Sequence, residues 1–345
     1  MKKELRVAIL GATGRVGQEL LSVLEQRNFP VSELIALASA RSANTFVEWK
    51  GKKIEVKEPS DEIFKNCDLV LASAGGSVSK EWGPRAVKQG CVFIDNSSTF
   101  RMDKDVPLIV PEVNAHELEN HNGLIANPNC STIQLVVVLK VLHELAGLKR
   151  VVVSTYQSVS GAGKEAIDEL QAQTKEVLLG NEAKPEVFKR PIAFNLIPQI
   201  DVFSEDGYTF EEIKVINESR KILGIPELAI TCTAVRVPVV VGHSESVTVD
   251  LEKKVSPAQV RESLANNEAI EVWDDWSKAH FPTPIDCAGK DPVYVGRIRK
   301  DTSSENGINL WVVADNLRIG AALNAVRIAE YLLSHDLMET KKVLA

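Results

Sequence analysis

The chain has 345 residues, a formal net charge of −7, and 44% hydrophobic and 25% charged residues. That apolar fraction is enough to bury a sizeable core and excludes a disordered chain, while the length calls for two domains or one large α/β unit. The acidic balance argues against broad nucleic-acid or anionic-membrane binding, so an anionic ligand must be met by a local cluster of cations.

Met1-Lys2-Lys3-Glu4-Leu5-Arg6 runs straight into a strand-like segment, without the apolar run and cleavage site of a signal peptide. Apolar runs such as 135–139 stop well short of the roughly 18 residues that a membrane helix needs. A cytoplasmic protein with no membrane contact is expected. The five cysteines, 67, 91, 130, 232 and 287, are odd in number and lack CxxC spacing, which indicates neither a disulfide framework nor a zinc site.

In chain order, short β-branched runs first alternate with amphipathic segments, the pattern of a parallel sheet with crossover helices. Strands are expected at 5–10, 34–39, 54–56, 69–73, 92–95 and 124–126. A helix over 14–25 places Val16, Leu20, Leu21 and Leu24 on one face. A second helix, 77–89, is expected to break or kink at Pro84. Asn127-Pro128-Asn129 marks a turn and the domain boundary, before a long apolar helix running to Leu145. Beyond it, strands at 151–157, 228–237, 246–251, 293–299 and 308–314, with helices at 164–179 and 210–223, read as α+β. The last helix, 318–333, is amphipathic and is expected to return to the first domain.

Gly11-Ala12-Thr13-Gly14-Arg15-Val16-Gly17 lies between the first strand and the first helix, where backbone N–H groups at a helix N-terminus cradle a pyrophosphate. Its GxxGxxG spacing is one step off the GxGxxG fingerprint, so the glycines alone also fit a plain turn; the strand–turn–helix context favours a dinucleotide. After the second strand comes Ser39-Ala40-Arg41-Ser42, a guanidinium and a hydroxyl where an NAD-binding fold places a carboxylate. That choice suits a 2′-phosphate and favours NADP, against the competing reading of a solvated loop arginine.

Pro128 pushes Asn127 out of helical geometry and Asn129 is a favoured N-cap, so Cys130 falls in the first turn of the long helix, whose positive end favours a thiolate. On these residues alone Cys130 is equally a nucleophile or a buried cap-region residue, while packing explains the other four cysteines. Arg236 lies in an alternating strand, out of place unless it meets a carboxylate or phosphate. His243, in the loop before the next strand, is a candidate general acid/base. The other five histidines lack a constellation, and none has metal-ligand spacing. The stretch 154–164 resembles a P-loop only superficially, because the first glycine is missing and Glu165 follows Lys164. Arg101 and Lys214 each read, alone, as surface charges.

In order, GATGRVG, SARS, DNSSTFRM, VPEVNAH, NPNCSTIQ, STYQSVSGAG, EEIKVINESRKIL, VRVPVVVGHSES and ADNLRIGAALNAV resemble the bacterial aspartate-semialdehyde dehydrogenase family over essentially the whole chain. The resemblance implies an α/β fold: a Rossmann-type NADP-binding domain, 1–128 completed by 316–345, plus an α+β catalytic and dimerisation domain, 129–315. It implies Cys130 as nucleophile, His243 as acid/base and Gln157 orienting the acyl group. Arg236, Glu211 and Asn129 would bind substrate, and Arg101 and Lys214 phosphate. Gly11, Thr13, Gly14, Arg15, Val16, Arg41, Ser42, Ser160, Gly161 and Asn316 would contact NADP. The implied reaction is the NADPH-dependent reductive dephosphorylation of L-4-aspartyl phosphate to L-aspartate 4-semialdehyde, through a cysteine thioester, by a homodimer. It serves the biosynthesis of lysine and diaminopimelate, threonine, methionine and isoleucine. The runner-up readings are N-acetyl-γ-glutamyl-phosphate reductase, which an amino-binding Glu211 disfavours, and a silent NADP-binding paralogue, which the presence of both Cys130 and His243 disfavours.

Overall fold

The computed structural model describes residues 4–338. The chain divides into two compact units, one running to Asn129 and resuming at Ala321, the other Cys130–Gly320. Residues 316–320 therefore cluster with the second unit and not with the first, as the sequence had suggested. Asp315 explains this: its Oδ1 accepts the backbone N–H groups of Leu317 and Arg318, and Arg318 is paired to Asp291 at 2.6 Å.

The first unit contains β1 (Leu5–Leu10), β2 (Val31–Leu37), β3 (Phe46–Trp49), β4 (Lys52–Lys57), β5 (Leu69–Ala72), β6 (Val92–Asp95) and β7 (Leu124–Ala126), in the order β3-β4-β2-β1-β5-β6-β7. All neighbours are parallel except β3, which forms an antiparallel hairpin with β4. Val7, Ala8 and Ile9 of β1 and all of β5 are fully buried, as expected of central parallel strands covered on both faces. The strand order reverses between β1 and β5, and ligands of such sheets bind outside the carboxyl ends of the strands at that point.

Two local expectations fail for physical reasons. The helix Gly76–Lys88 runs through Pro84 without ending there. The preceding residue is Gly83, which has no Cβ for the proline ring to clash with, and a Cβ there would lie 3.2 Å from the Phe100 ring. The hairpin strand β3 was not anticipated, because only Val47 and Trp49 of its four residues are buried.

The second unit carries β8 (Leu148–Gln157), β9 (Ala229–Arg236), β10 (His243–Leu251), β11 (Ile270–Val272), β12 (Val293–Lys300) and β13 (Gly307–Ala314), ordered β11-β12-β13-β10-β8-β9. The helix Cys130–Ala146 packs on β8, β10 and β13 and against the helices Phe210–Leu223 and Pro257–Ala265. Residues 131–139 of that helix are all buried, so it is covered on every side there and shows little amphipathic pattern. The terminal helix begins later than expected, at Leu323, after a π-type turn Arg318–Ala322. Within the first unit Asn324 donates to Asn127 Oδ1 at 2.7 Å and to the Ile109 carbonyl at 2.9 Å. Among the described residues no helix is long and apolar enough to cross a membrane.

Candidate active site

Strand pairing assembles the second unit's polar centre. β8 and β9 are parallel with Gln157 beside Arg236, and β10 runs antiparallel to β8 with Ser244 beside Tyr156. The carboxyl ends of β8 and β9 and the amino end of β10 therefore share one sheet edge, which bears Gln157, Arg236 and His243. His243 opens β10 and does not lie in the preceding loop as expected. Gly242, at φ +96°, makes the turn, and His243 pairs directly with Ala314.

Cys130 is the first residue of its helix and is partly exposed. Gly320 lies beside it; a Cβ there would stand 3.0 Å from the Cys130 Cβ. Burial separates it from the other thiols, raising Cys67 to about 11 and Cys91 and Cys287 to about 12, and pushing Cys232 further up. Those four are protonated at neutral pH and poor nucleophiles.

Arg236 is buried, donates through Nη1 to the Ser158 carbonyl at 2.7 Å, and leaves Nε without a partner. Burial pulls it below its ordinary value, and the opposing charges of Glu211 and Cys130 offset part of that. Glu211 and Lys214 project from one face of the helix Phe210–Leu223, an i,i+3 pair. Glu211 accepts from Gln157 Nε2 at 3.1 Å and from Lys214 Nζ at 3.4 Å, and Lys214 also meets Asp201 at 2.7 Å. The result is a guanidinium, a carboxylate, an ammonium and an amide close together, facing a candidate thiol.

His243 is fully buried, and its ring has two unlike ends. Nδ1 accepts the Ser158 backbone N–H at 3.1 Å, while Nε2 has no partner. Burial first, then Arg236, hold the imidazole well below its ordinary value, against a smaller opposing effect of the Gly242 backbone. Gly161 leaves room at the free end: a Cβ on it would lie 3.3 Å from His243 Nε2 and 3.2 Å from Arg236 Nη1.

Ser160 and Asn316, expected at the cofactor, are 3% exposed and engaged with each other. Asn316 Oδ1 accepts from Gly242 N at 2.9 Å and from the Ser158 and Ser160 hydroxyls at 3.1 and 3.2 Å. Ser158 was not singled out, and nothing but its place beside Gln157 could have drawn notice. Glu245, also missed, is a charged residue at an inward position of an alternating strand, a readable signal.

In the first unit, Arg101 donates to the carbonyls of Asn127 and Asn96 at 3.0 and 2.8 Å, bracing the turn that carries the buried Asn129. The Gly11 turn has the shape of a dinucleotide cradle. Gly11 has φ +95°, and a Cβ on it would lie 2.9 Å from the Ser73 backbone; one on Gly17 would lie 2.2 Å from the Gly11 carbonyl. The glycines thus let β1, its helix and the end of β5 meet, leaving Thr13, Gly14 and Arg15 exposed and Val16 half-buried at the helix start. Arg41 and Ser42 follow the carboxyl end of the adjacent β2, and the exposed Arg41 side chain makes no contact with another described residue that would occupy its charge.

Two family models match, a semialdehyde dehydrogenase NAD-binding domain over residues 6–121 and a semialdehyde dehydrogenase dimerisation domain over 139–319. The aspartate-semialdehyde dehydrogenase of Aquifex aeolicus is 53% identical over 96% of this chain and 99% of its own. The chain belongs to the aspartate-semialdehyde dehydrogenase family. The Bacillus subtilis member is 49% identical over 98% of this chain and 100% of its own. Aspartate semialdehyde dehydrogenase II of Vibrio cholerae, solved in complex with ASA, matches with a TM-score of 0.94 at 47% identity, covering 96% of this chain and 99% of that one. The Candida albicans enzyme, solved with NADP, matches at 0.77 and 26% identity, covering 97% of this chain and 100% of that one. Family membership makes the chain an oxidoreductase with an NAD(P)-binding Rossmann-type domain.

Proposed function

We propose that the protein catalyses the reductive dephosphorylation of L-4-aspartyl phosphate to L-aspartate 4-semialdehyde, reversibly, through a thioester on Cys130. The observation that carries this reading is the one partly exposed thiol, at a helix start and near enough to Arg236 to act on its charge, together with an Arg236 Nε and a His243 Nε2 that are buried without partners. A buried N–H left unpaired costs about 1–3 kcal/mol, so these groups are held for a ligand. The substrate supplies matching groups: an α-carboxylate for Arg236, an α-ammonium for Glu211 and a phosphate for Lys214, with Gln157 aligning the acyl group.

The Cys130 thiolate attacks the acyl carbon and phosphate leaves, giving the thioester. The chemistry NADPH supplies when bound is a hydride for that thioester. His243 handles the proton and stabilises charge on the acyl oxygen through Nε2. The Gly11–Val16 turn would hold the pyrophosphate, and Arg41 with Ser42 the 2′-phosphate, which supports NADP over NAD. A homodimer formed through the second unit is supported by its match to a dimerisation-domain model and by exposed apolar side chains at Phe194, Leu196, Val202 and Phe203. Five free cysteines agree with a reducing, cytoplasmic compartment.

The test is nicotinamide reduction in the reverse direction. Aspartate semialdehyde, NADP and phosphate should give NADPH, with arsenate able to replace phosphate; turnover of the N-acetyl-γ-glutamyl aldehyde alone would overturn the aspartyl assignment. Arg41→Glu should weaken NADP by about 10- to 100-fold and NAD far less, because it replaces a charge-assisted hydrogen bond with repulsion. Equal loss for both cofactors removes the 2′-phosphate role.

A further inference from the structure

The geometry points to Phe188 as a determinant of substrate affinity: its ring covers the Arg236 guanidinium that receives the substrate's α-carboxylate, and Gln173, with Glu169, is the positioning residue that holds the segment carrying it. The proposal rests on the aspartyl reading and gives the carboxylate end of that substrate a wall that stands apart from the reacting groups.

Residues 180–209 join the helix Lys164–Leu178 to the helix Phe210–Leu223 without a helix or ladder strand of their own. Backbone polar groups in such a segment must find other partners. Four of them find these on two buried side chains one turn apart on the preceding helix. Gln173 Oε1 accepts the N–H groups of Ile192 and Ala193 at 2.8 and 3.1 Å, and its Nε2 donates to the Lys184 carbonyl at 2.9 Å. The other amide hydrogen goes to Glu169 Oε1 at 2.7 Å, while Glu169 Oε2 accepts the Val187 N–H. The Gln173 amide thus fills all four of its hydrogen-bonding positions. These bonds fall on both sides of Phe188 in the chain, so the clasp fixes where that residue stands.

Phe188 is half-buried and packs against the buried cluster that includes Val159, Ala166, Leu170 and Ile192. The Arg236 Cζ lies over its ring, 5.8 Å from the centroid, within reach of a cation–π attraction. The same segment then pairs with the strand end that bears the guanidinium. Ile197 N donates to the Arg236 carbonyl at 3.0 Å, and Arg236 N to the Ile197 carbonyl at 2.8 Å. The stretch 184–197 is therefore tied to the helix at one end and to Arg236 at the other.

An aromatic ring suits this place for a physical reason. A carboxylate there would occupy the guanidinium N–H groups and compete with the substrate, whereas a ring attracts the charge through its face and brings no oxygen acceptor. Arg236 has Nη1 on the Ser158 carbonyl and Nε without a partner, so N–H capacity remains for a ligand. With water kept from the side that the ring covers, the bond to an incoming α-carboxylate is stronger than it would be in solvent. The chemical steps take place at Cys130, at the other end of the substrate, so the ring acts on affinity and not on turnover.

Steady-state kinetics of the full-length protein with aspartate semialdehyde, NADP and phosphate test this, each variant being checked for its fold by circular dichroism. Phe188→Leu, which keeps an apolar group but no ring, should raise KM for aspartate semialdehyde by about 3- to 30-fold, the scale of a partly desolvated cation–π contact, and leave kcat within about threefold of wild type. KM for NADP should not change, and Phe188→Tyr, which keeps the ring, should restore the wild-type KM for the aldehyde. Gln173→Met, of similar length but without the amide, should raise that KM to a similar extent. The double variant Phe188→Leu/Gln173→Met should be no worse than either alone, because the clasp acts through the ring. An unchanged KM in Phe188→Leu, an equal rise in Phe188→Tyr, or a loss confined to kcat overturns the role of the ring, and additive losses in the double variant remove Gln173 from it. A wild type inert on aspartate semialdehyde overturns the substrate reading itself, whereas an active wild type whose KM is indifferent to Phe188→Leu overturns this proposal alone.

Discussion

Cys130→Ala should lower kcat by about 10⁴-fold or more, the scale of removing a covalent nucleophile, while NADPH fluorescence titration gives the wild-type affinity. No other group can take over. Burial raises the Cys67, Cys91 and Cys287 thiols to about 11–12 and Cys232 still higher, so their thiolate fractions at neutral pH are negligible. His243 Nδ1 accepts the Ser158 backbone N–H, so its lone pair is not free to attack the acyl carbon. The substitution should not disturb the fold, because Cys130 is partly exposed and only its Sγ is removed. A stoichiometric burst of phosphate from aspartyl phosphate, seen in the wild type when NADPH is withheld, should vanish in the variant. Residual turnover within tenfold of wild type, or a persisting burst, would falsify the thioester route.

What the sequence made legible was local. GATGRVG announced itself because a left-handed Gly11 and a Cβ-free Gly17 are requirements of one short turn, readable without knowing what packs around it. Cys130 was found from Pro128 and Asn129, again neighbours in the chain. The alignment of Gln157, Arg236 and His243 is of another kind. It depends on β8 pairing with both β9 and β10, strands that begin 81 and 95 residues after β8 does. No periodicity specifies such a pairing, so residue type and family resemblance carried that part of the reading. Local rules also misled where a neighbour cancelled them. Gly83 relieved the clash expected of Pro84, and Gly242 placed the turn one residue earlier than the loop assigned to His243. Asn316 sits inside a recognisable terminal motif, yet only the folded structure shows its amide spent on Gly242, Ser158 and Ser160.

The largest stability effect expected of a single conservative change lies at Glu245, two residues along β10 from His243. Its carboxyl group is fully buried on the inward face of the sheet. Burial drives its proton affinity well above that of an ordinary glutamate, and the Gln134 side chain offsets only part of this. The folded protein therefore keeps Glu245 protonated at pH values where the unfolded chain ionises. The native state then binds the extra proton, so stability falls as pH rises. The loss begins near the unfolded value of about 4.3 and proceeds at about 1.4 kcal/mol per pH unit until the folded group itself titrates. Glu245→Gln substitutes a neutral amide of the same shape and removes that slope. Near pH 5 the two proteins should unfold at similar temperatures, and by about pH 8 the variant should be the more stable by several degrees, since each 1 kcal/mol is worth about 1.4 °C in a chain of this size. A difference in unfolding temperature that stays constant across that range would show Glu245 to be ionised in the folded protein, with a counter-charge that the surrounding apolar strands do not provide.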